Sequence, residues 1–318
     1  MAFVSKKIIA GKERYYLEKS VRINGKIKKY SLYLKGPPHS KNIPPEFLRK
    51  LEEKINQDIL KEAVASYTQN YIFTEAALHK IEEFKLYYQA IIKQFTPAQL
   101  NDLLDRFAVN FTYESNAIEG NSLTLKDVTF IIKEGKVLPG KDLREVYETL
   151  NTRKALEWIL RKKPKVSERN ILHLHKLVVE NTGITLGYKQ FPNFLLGRRV
   201  ETTPPEKVKE EMQKLLSWYE SSQAIHPLQR AALFHGKLEK IHPFEDGNGR
   251  VGRLLINLML LTEGYPPLII RKTQRVSYFH ALDAFDRGHA DNFYYFLMEK
   301  YKDTSEKFFK IYVKYLKY

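Results

Sequence analysis

The stretch His242-Pro243-Phe244-Glu245-Asp246-Gly247-Asn248-Gly249-Arg250-Val251-Gly252-Arg253, followed directly by the apolar run Leu254 to Leu261, organises the reading of this chain. Two glycines bracket an asparagine just ahead of a hydrophobic segment that is apolar almost all round, as a central buried helix would be. Glycines let backbone N–H groups turn inward into an anion nest, and the helix that follows adds its positive N-terminal end. Arg250 and Arg253 are three apart and share a helix face, so two guanidinium groups can grip polyphosphate oxygens. Asp246 offers a hard carboxylate suited to Mg²⁺ (or Mn²⁺), and His242 can accept a proton near neutral pH. Base, metal ligand, anion cradle and cationic clamp together describe phosphoryl or nucleotidyl transfer.

Competing chemistries lack their motifs. There is no G-x-x-x-x-G-K-[ST], no H-E-x-x-H and no G-x-S-x-G in the sequence. His173 and His175 stand two apart on an expected helix, where they face different directions and read as structural.

The twelve-residue stretch resembles the signature of the Fic family, H-P-F-x-[DE]-G-N-G-R-x-x-R, at every specified position. The resemblance implies a mainly α fold: a Fic-fold helical core with a β-hairpin flap over the motif. It implies His242 as the base that deprotonates a target hydroxyl, Phe244 as an anchor of the loop and Asp246 as the metal ligand. Gly247, Asn248 and Gly249 would hold the α-phosphate, and Arg250 and Arg253 the outer phosphates. The implied activity is protein adenylylation: AMP moves from ATP to a Ser, Thr or Tyr hydroxyl of a protein target. The flap is expected at Gly187–Glu201, with Asn193, Phe194 and Leu195 as target contacts. Tyr278 and Phe279 fall where the family builds part of its adenine and ribose pocket. Asp286 stands where close relatives carry asparagine, which leaves the base preference open.

Upstream, Ser115-Asn116-Ala117-Ile118-Glu119-Gly120 resembles the inhibitory motif of Fic proteins with an N-terminal inhibitory helix. The resemblance implies that Glu119 pairs with Arg253 and repels the ATP tail. The longer stretch Ala117 to Thr124, like Gly264 to Ile270, is similar to metazoan Fic adenylyltransferases of the endoplasmic reticulum, in which the same glutamate also supports removal of AMP. A Glu119-dependent de-AMPylase is therefore one alternative; a nucleotide-sensing regulator that binds nucleic acid through its N-terminal region is another. The class also implies a possible homodimer.

Around this core the whole sequence divides into four parts, the core among them. Residues 1–45 form a basic region in which β-formers alternate around Asn24-Gly25, a strong hairpin signal, with Pro37, Pro38, Pro44 and Pro45 marking a linker. Residues 46–94 read as a helical extension, 95–300 as the Fic domain and 301–318 as a C-terminal helix. A helix is expected after Thr96, another after Ser167 ending at Gly183, and one opened by a capping box at Thr203-Pro204-Pro205-Glu206. The net charge is +16, and residues 1–60 alone carry 14 Lys and Arg against 6 Asp and Glu. Such a basic end fits a solvated surface or a nucleic-acid contact. Zero cysteine excludes a disulfide framework and fits a reducing cytoplasm, and neither a membrane-length apolar run nor a signal peptide is legible.

Overall fold

The computed structural model describes residues 2–23, 25–36, 43–67, 73–137, 139–193 and 201–316. They form two compact units, Met1–Leu86 with Tyr315–Tyr318 and Tyr87–Lys314.

The first unit holds a three-stranded antiparallel sheet, β1 (Phe3–Ile9), β2 (Lys12–Ile23) and β3 (Lys26–Leu34), in the order β1-β2-β3. The expected hairpin is β2–β3, with Ile23 paired to Lys26 and Gly25 at φ 77° between the strands; Asn24 lies outside the described residues. β1 was not anticipated. It pairs with β2 through a two-residue turn at Ala10-Gly11, where both residues have positive φ as a tight hairpin requires. One sheet face lies on helix α1 (Pro45–Tyr67), where Leu17, Ile23, Tyr30 and Leu34 bury against Leu51 and Ile55. Tyr30 Oη donates to Asp58 Oδ2 at 3.1 Å, and Lys19 and Lys28 pair with Glu52 and Glu62.

Helix α2 (Glu75–Gln94) contains the division between the units. The second unit then runs through α3 (Pro97–Ile118), α4 (Leu125–Glu134), α5 (Leu143–Lys162), α6 (Glu168–Val179), α7 (Pro205–Ser221), α8 (Pro227–Ile241), α9 (Asn248–Thr262), α10 (Arg275–Asp286) and α11 (Ala290–Thr304). Beyond Thr304 the chain widens into a π turn and then tightens into a 3-10 turn to Tyr315 rather than continuing as a regular α-helix. No helix of the described residues is long and apolar enough to cross a membrane.

The caps explain where several of these helices begin. At α3, Thr96 and Gln99 form a reciprocal capping box with Pro97 at the first helical position. Ser167 caps α6 through Asn170 N, but α6 stops at Val179, before the expected Gly183. The capping box expected at Thr203 does not form. Pro204 is the N-cap of α7 and no side chain caps it, because a residue preceding proline is driven to extended backbone and Pro205 therefore sets the start. The described part of the expected flap, 187–193, contains no strand; Phe194 and Leu195 lie outside the described residues.

Helix α9 is the axis of this unit. Every residue from Arg250 to Leu261 is buried, and α9 packs on α8, α5, α6 and α3. Its one polar side chain in the apolar stretch, Asn257, is fully buried and holds the segment leading to α10. Asn257 Nδ2 donates to Leu268 O at 3.0 Å, and Leu268 N–H donates to Asn257 Oδ1 at 2.7 Å. Removing one partner leaves buried donors and acceptors unpaired, at about 1–3 kcal/mol each. Asn257→Ala is therefore expected to lower stability by about 2–4 kcal/mol. Urea unfolding followed by near-UV circular dichroism checks this; a loss under about 1 kcal/mol would contradict the role.

Candidate active site

Helix α8 delivers His242 and α9 receives the loop that follows. His242 is left-handed, φ 50°, and its N–H donates to Leu238 O at 2.8 Å. Glycine is the usual residue at such a helix end, and a side chain there costs about 1–2 kcal/mol. Conformational strain of this kind clusters at functional positions.

The loop is held by the protein alone. Phe244 is fully buried and stacks on His175 of α6, with ring centroids 3.9 Å apart and planes 7° apart. Burial pushes the His175 pKa down to about 4, so the ring is neutral near pH 7. Its Nε2 lies 3.1 Å from the Asp246 carbonyl, which only accepts, so the proton sits on Nε2. The Asn248 carboxamide closes the loop on itself, accepting from Phe244 N–H and donating to Phe244 O, both at 2.9 Å. Asn248 can therefore offer an anion its backbone N–H, while its side-chain oxygen and one side-chain N–H are taken up by Phe244. Asn193, expected to touch a target, donates to Phe244 O and Glu245 O at 3.0 Å.

Gly247 stands at φ 85° as the N-cap of α9, and no side chain caps the helix. The first helical bond runs from Val251 N–H to Gly247 O, so the earlier N–H groups of the first turn have no helical acceptor. These donors and the helix dipole converge where an anion would sit.

The structure fills that place with Glu119. Glu119 caps the C-terminus of α3, and its Oε1 lies 2.7 Å from Arg253 Nη2. A Cβ on Gly249 would collide with the Glu119 carboxylate, which measures how closely it covers the start of α9. Arg253 is only 2 % exposed and is further held by Ser115, whose Oγ accepts from Nε at 3.0 Å and whose carbonyl accepts from Nη2 at 2.8 Å. Ser115, Glu119 and Arg253, named from separate parts of the sequence, thus meet in one cluster.

Arg250 points to other partners. Its Nη1 lies 3.3 Å from Glu148 of α5 and its Nη2 3.2 Å from Asp246 Oδ1. Asp246 also meets Arg144 Nη2 at 2.8 Å. Burial opposes the charge of Asp246, but Arg250, the Gly247 N–H and Arg144 outweigh it and hold the carboxyl below its ordinary pKa. Arg144 and Glu148 were not legible beforehand, since they lie some hundred positions upstream with no local motif. Glu239 was also missed, though its place three residues before His242 on a helix could have revealed it. Its Oε2 lies 3.8 Å from His242 Nδ1, and it is buried.

Glu119, Glu239, His242, Glu245, Asp246 and the Gly247–Gly249 backbone line one cleft of about 190 Å³, completed by Tyr278 and Phe279 of α10. Tyr278 is buried, with its hydroxyl 2.7 Å from His235 Nε2; Phe279 is half-buried. Asp286, at the far end of α10, does not line this cleft. Among the described residues no group of three or more His, Cys, Asp or Glu could hold a metal ion by itself.

Residues 165–260 match the Fic/DOC family. The chain is 34% identical over 186 residues to the protein adenylyltransferase fic-1 of Caenorhabditis elegans, an overlap of 56% of this chain and 36% of that protein. It is 36% identical over 207 residues to the protein adenylyltransferase Fic of Drosophila willistoni, covering 63% of this chain and 41% of that one. The chain thus spans about two fifths of the length of these curated relatives. A crystal structure of a Fic domain-containing signaling protein from Bacteroides thetaiotaomicron superposes with a TM-score of 0.67 at 26% identity, covering 74% of this chain and 97% of that one. With the signature loop, the helix behind it and the glutamate before it all assembled in one cleft, this chain carries a Fic/DOC-family domain over residues 165–260 and is similar around it to the metazoan Fic proteins.

Proposed function

We propose that this chain is a protein adenylyltransferase that transfers AMP from ATP to a hydroxyl side chain of another protein and is restrained by Glu119. The observation that carries this reading is the Glu119 carboxylate seated on Arg253 at the uncapped start of α9, an internal anion in a site built for an external one.

In the reaction His242 takes the proton of the target hydroxyl. The hydroxyl oxygen attacks the α-phosphorus, the bond to the bridging oxygen breaks, and pyrophosphate leaves. The N–H groups at the start of α9 stabilise the charge on the α-phosphoryl oxygens, and Arg253 receives the outer phosphates once Glu119 withdraws. Glu239, beside His242 Nδ1, favours the imidazolium that forms.

The residues fit a bound Mg²⁺ (or Mn²⁺). Mg²⁺ takes one or two carboxylates and completes its shell with phosphate oxygens and water, which suits a single ionised Asp246 at the rim of the cleft. Asp246 would hold it, and the ion would neutralise phosphate charge. A groove beside the loop, lined by Thr185, Phe191, Pro192, Asn193 and Glu245, supports docking of a target segment next to the base; Phe191 is 82% exposed there. Because Glu119 itself faces the cleft, it can also position a water, which favours AMP removal as a second activity of the same site.

The test uses wild type, Glu119→Gly and Glu119→Gly/His242→Ala with Mg²⁺ and ATP labelled at the α-phosphate. Label on protein is expected to rise about 10–100-fold in the single variant, the range of a coupling of 1–3 kcal/mol. It is expected to fall by about 10²–10⁴ from that level when the base is also removed. A single variant that binds ATP yet stays silent would refute the brake. In the Glu119→Gly background, Glu239→Gln is expected to lower kcat about tenfold while the KM for ATP stays within about twofold. A change confined to KM would remove Glu239 from the support of His242.

A further inference from the structure

The nucleotide reading leaves the first unit unused, and its sheet is strongly basic. Strand alternation and register place Ser5, Lys7 and Ile9 of β1 beside Tyr16, Arg14 and Lys12 of β2, all on the face away from α1. On β3 the same face presents Ile27, Lys29, Ser31 and Tyr33 opposite Arg22, Ser20, Glu18 and Tyr16. It therefore holds five cations, Lys7, Lys12, Arg14, Arg22 and Lys29, against one carboxylate. That carboxylate, Glu18, is 1% exposed and already paired with Lys7 at 2.7 Å and Lys29 at 2.7 Å. Lys12, Arg14 and Arg22 are exposed and carry no carboxylate partner among the described residues. Tyr16 and Tyr33 pair at 5.6 Å in the middle of the face, with Lys7 4.8 Å from the Tyr16 ring centroid.

We infer that this face is a docking surface for double-stranded DNA. Charge complementarity selects a polyanion, because the one carboxylate is neutralised internally and the free charges are all positive. The dimensions select a duplex groove. The outer strands of a three-stranded sheet are about 10 Å apart, and same-face side chains repeat about every 7 Å along a strand. The major groove of B-DNA is about 12 Å wide and admits β-strands, whereas that of A-form RNA is too narrow and deep for side chains to read. Lys12, Arg14 and Arg22 would contact phosphates on the groove walls, and the central tyrosines the groove floor.

The test uses the full chain, a fluorescein-labelled mixed-sequence DNA duplex and fluorescence anisotropy across a salt series. A triple variant, Lys12→Ala, Arg14→Ala and Arg22→Ala, removes exposed cations that support no contact of the fold. Each lost phosphate contact lowers the slope of log K against log salt by about 0.9, so the slope is expected to drop by about 2–3 and affinity at low salt by at least about tenfold. A control triple variant, Lys126→Ala, Lys207→Ala and Lys209→Ala, removes the same charge from exposed positions of the second unit and is expected to bind nearly as the wild type does. Should the sheet variant lose its circular dichroism melt, Arg22→Ala alone replaces it, with an expected slope change of about 1. Unchanged binding by the sheet variant, an equal loss in the control, equal affinity for duplex RNA, or preference for anionic phospholipid vesicles over DNA would each overturn the inference. None of these readouts depends on nucleotide transfer.

Discussion

The buried charge of Arg253 is the constraint around which the site is arranged. A guanidinium at 2% exposure in an apolar helix must find acceptors and an opposite charge, or its burial becomes very costly. Ser115 supplies two acceptors from the body of α3, and these fix the guanidinium in place. Glu119 supplies the countercharge from the end of the same helix, with its side chain 34% exposed. The two partners therefore differ in how easily they can leave. Arg253 has nowhere to go, while a partly hydrated carboxylate at a helix end loses little by turning to water, since solvent screens an exposed pair. Whatever replaces Glu119 must be anionic and must reach the start of α9, and a nucleotide phosphate meets both requirements.

The remainder of the loop needs no ligand to take its shape. His175 under Phe244, the Asn248 carboxamide across Phe244 and the Asn193 amide on Phe244 and Glu245 each satisfy backbone groups that a tight loop would otherwise leave unpaired. That arrangement holds His242 in its left-handed conformation at the edge of the cleft. Preorganisation of this kind removes the cost of ordering catalytic groups during the reaction. The neutral state of His175 belongs to the same design, for a protonated ring would bring an unpaired charge into the space between α6 and the loop.

What was legible in the sequence is what local spacing encodes. The signature loop, the all-apolar α9, the helix start after Thr96 and the hairpin signal at Asn24-Gly25 each depend on neighbours within a few positions. The Ser115–Glu119–Arg253 cluster was reached across 138 residues only through resemblance to a family, because no periodicity links the two segments. Where local rules were read too simply, they failed for local reasons: Pro204 displaces Thr203 from the cap of α7. Asn248 and Asn193 illustrate another limit. The sequence shows an amide in a loop but not whether that amide faces a ligand or its own backbone. Arg144 and Glu148 were invisible because their role follows from the packing of α5 against α9.

The electrostatics of the cleft also bear on how a nucleotide could enter it. Four carboxylates, Glu119, Glu239, Glu245 and Asp246, line the space, while Arg250 and Arg253 lie behind it with carboxylate partners already in place. A polyphosphate approaching this lining meets like charge before it reaches either arginine. Two changes would reverse that balance: withdrawal of Glu119, which exposes the charge of Arg253, and a divalent cation on Asp246, which turns a repelling carboxylate into part of a binding site. Neither is sufficient alone. With Glu119 in place the cation leaves the outer phosphates without an arginine, and with Glu119 gone the remaining carboxylates still oppose the phosphate chain. On the proposed reading the charge of the whole lining would restrain the site, with Glu119 as the component best placed to move.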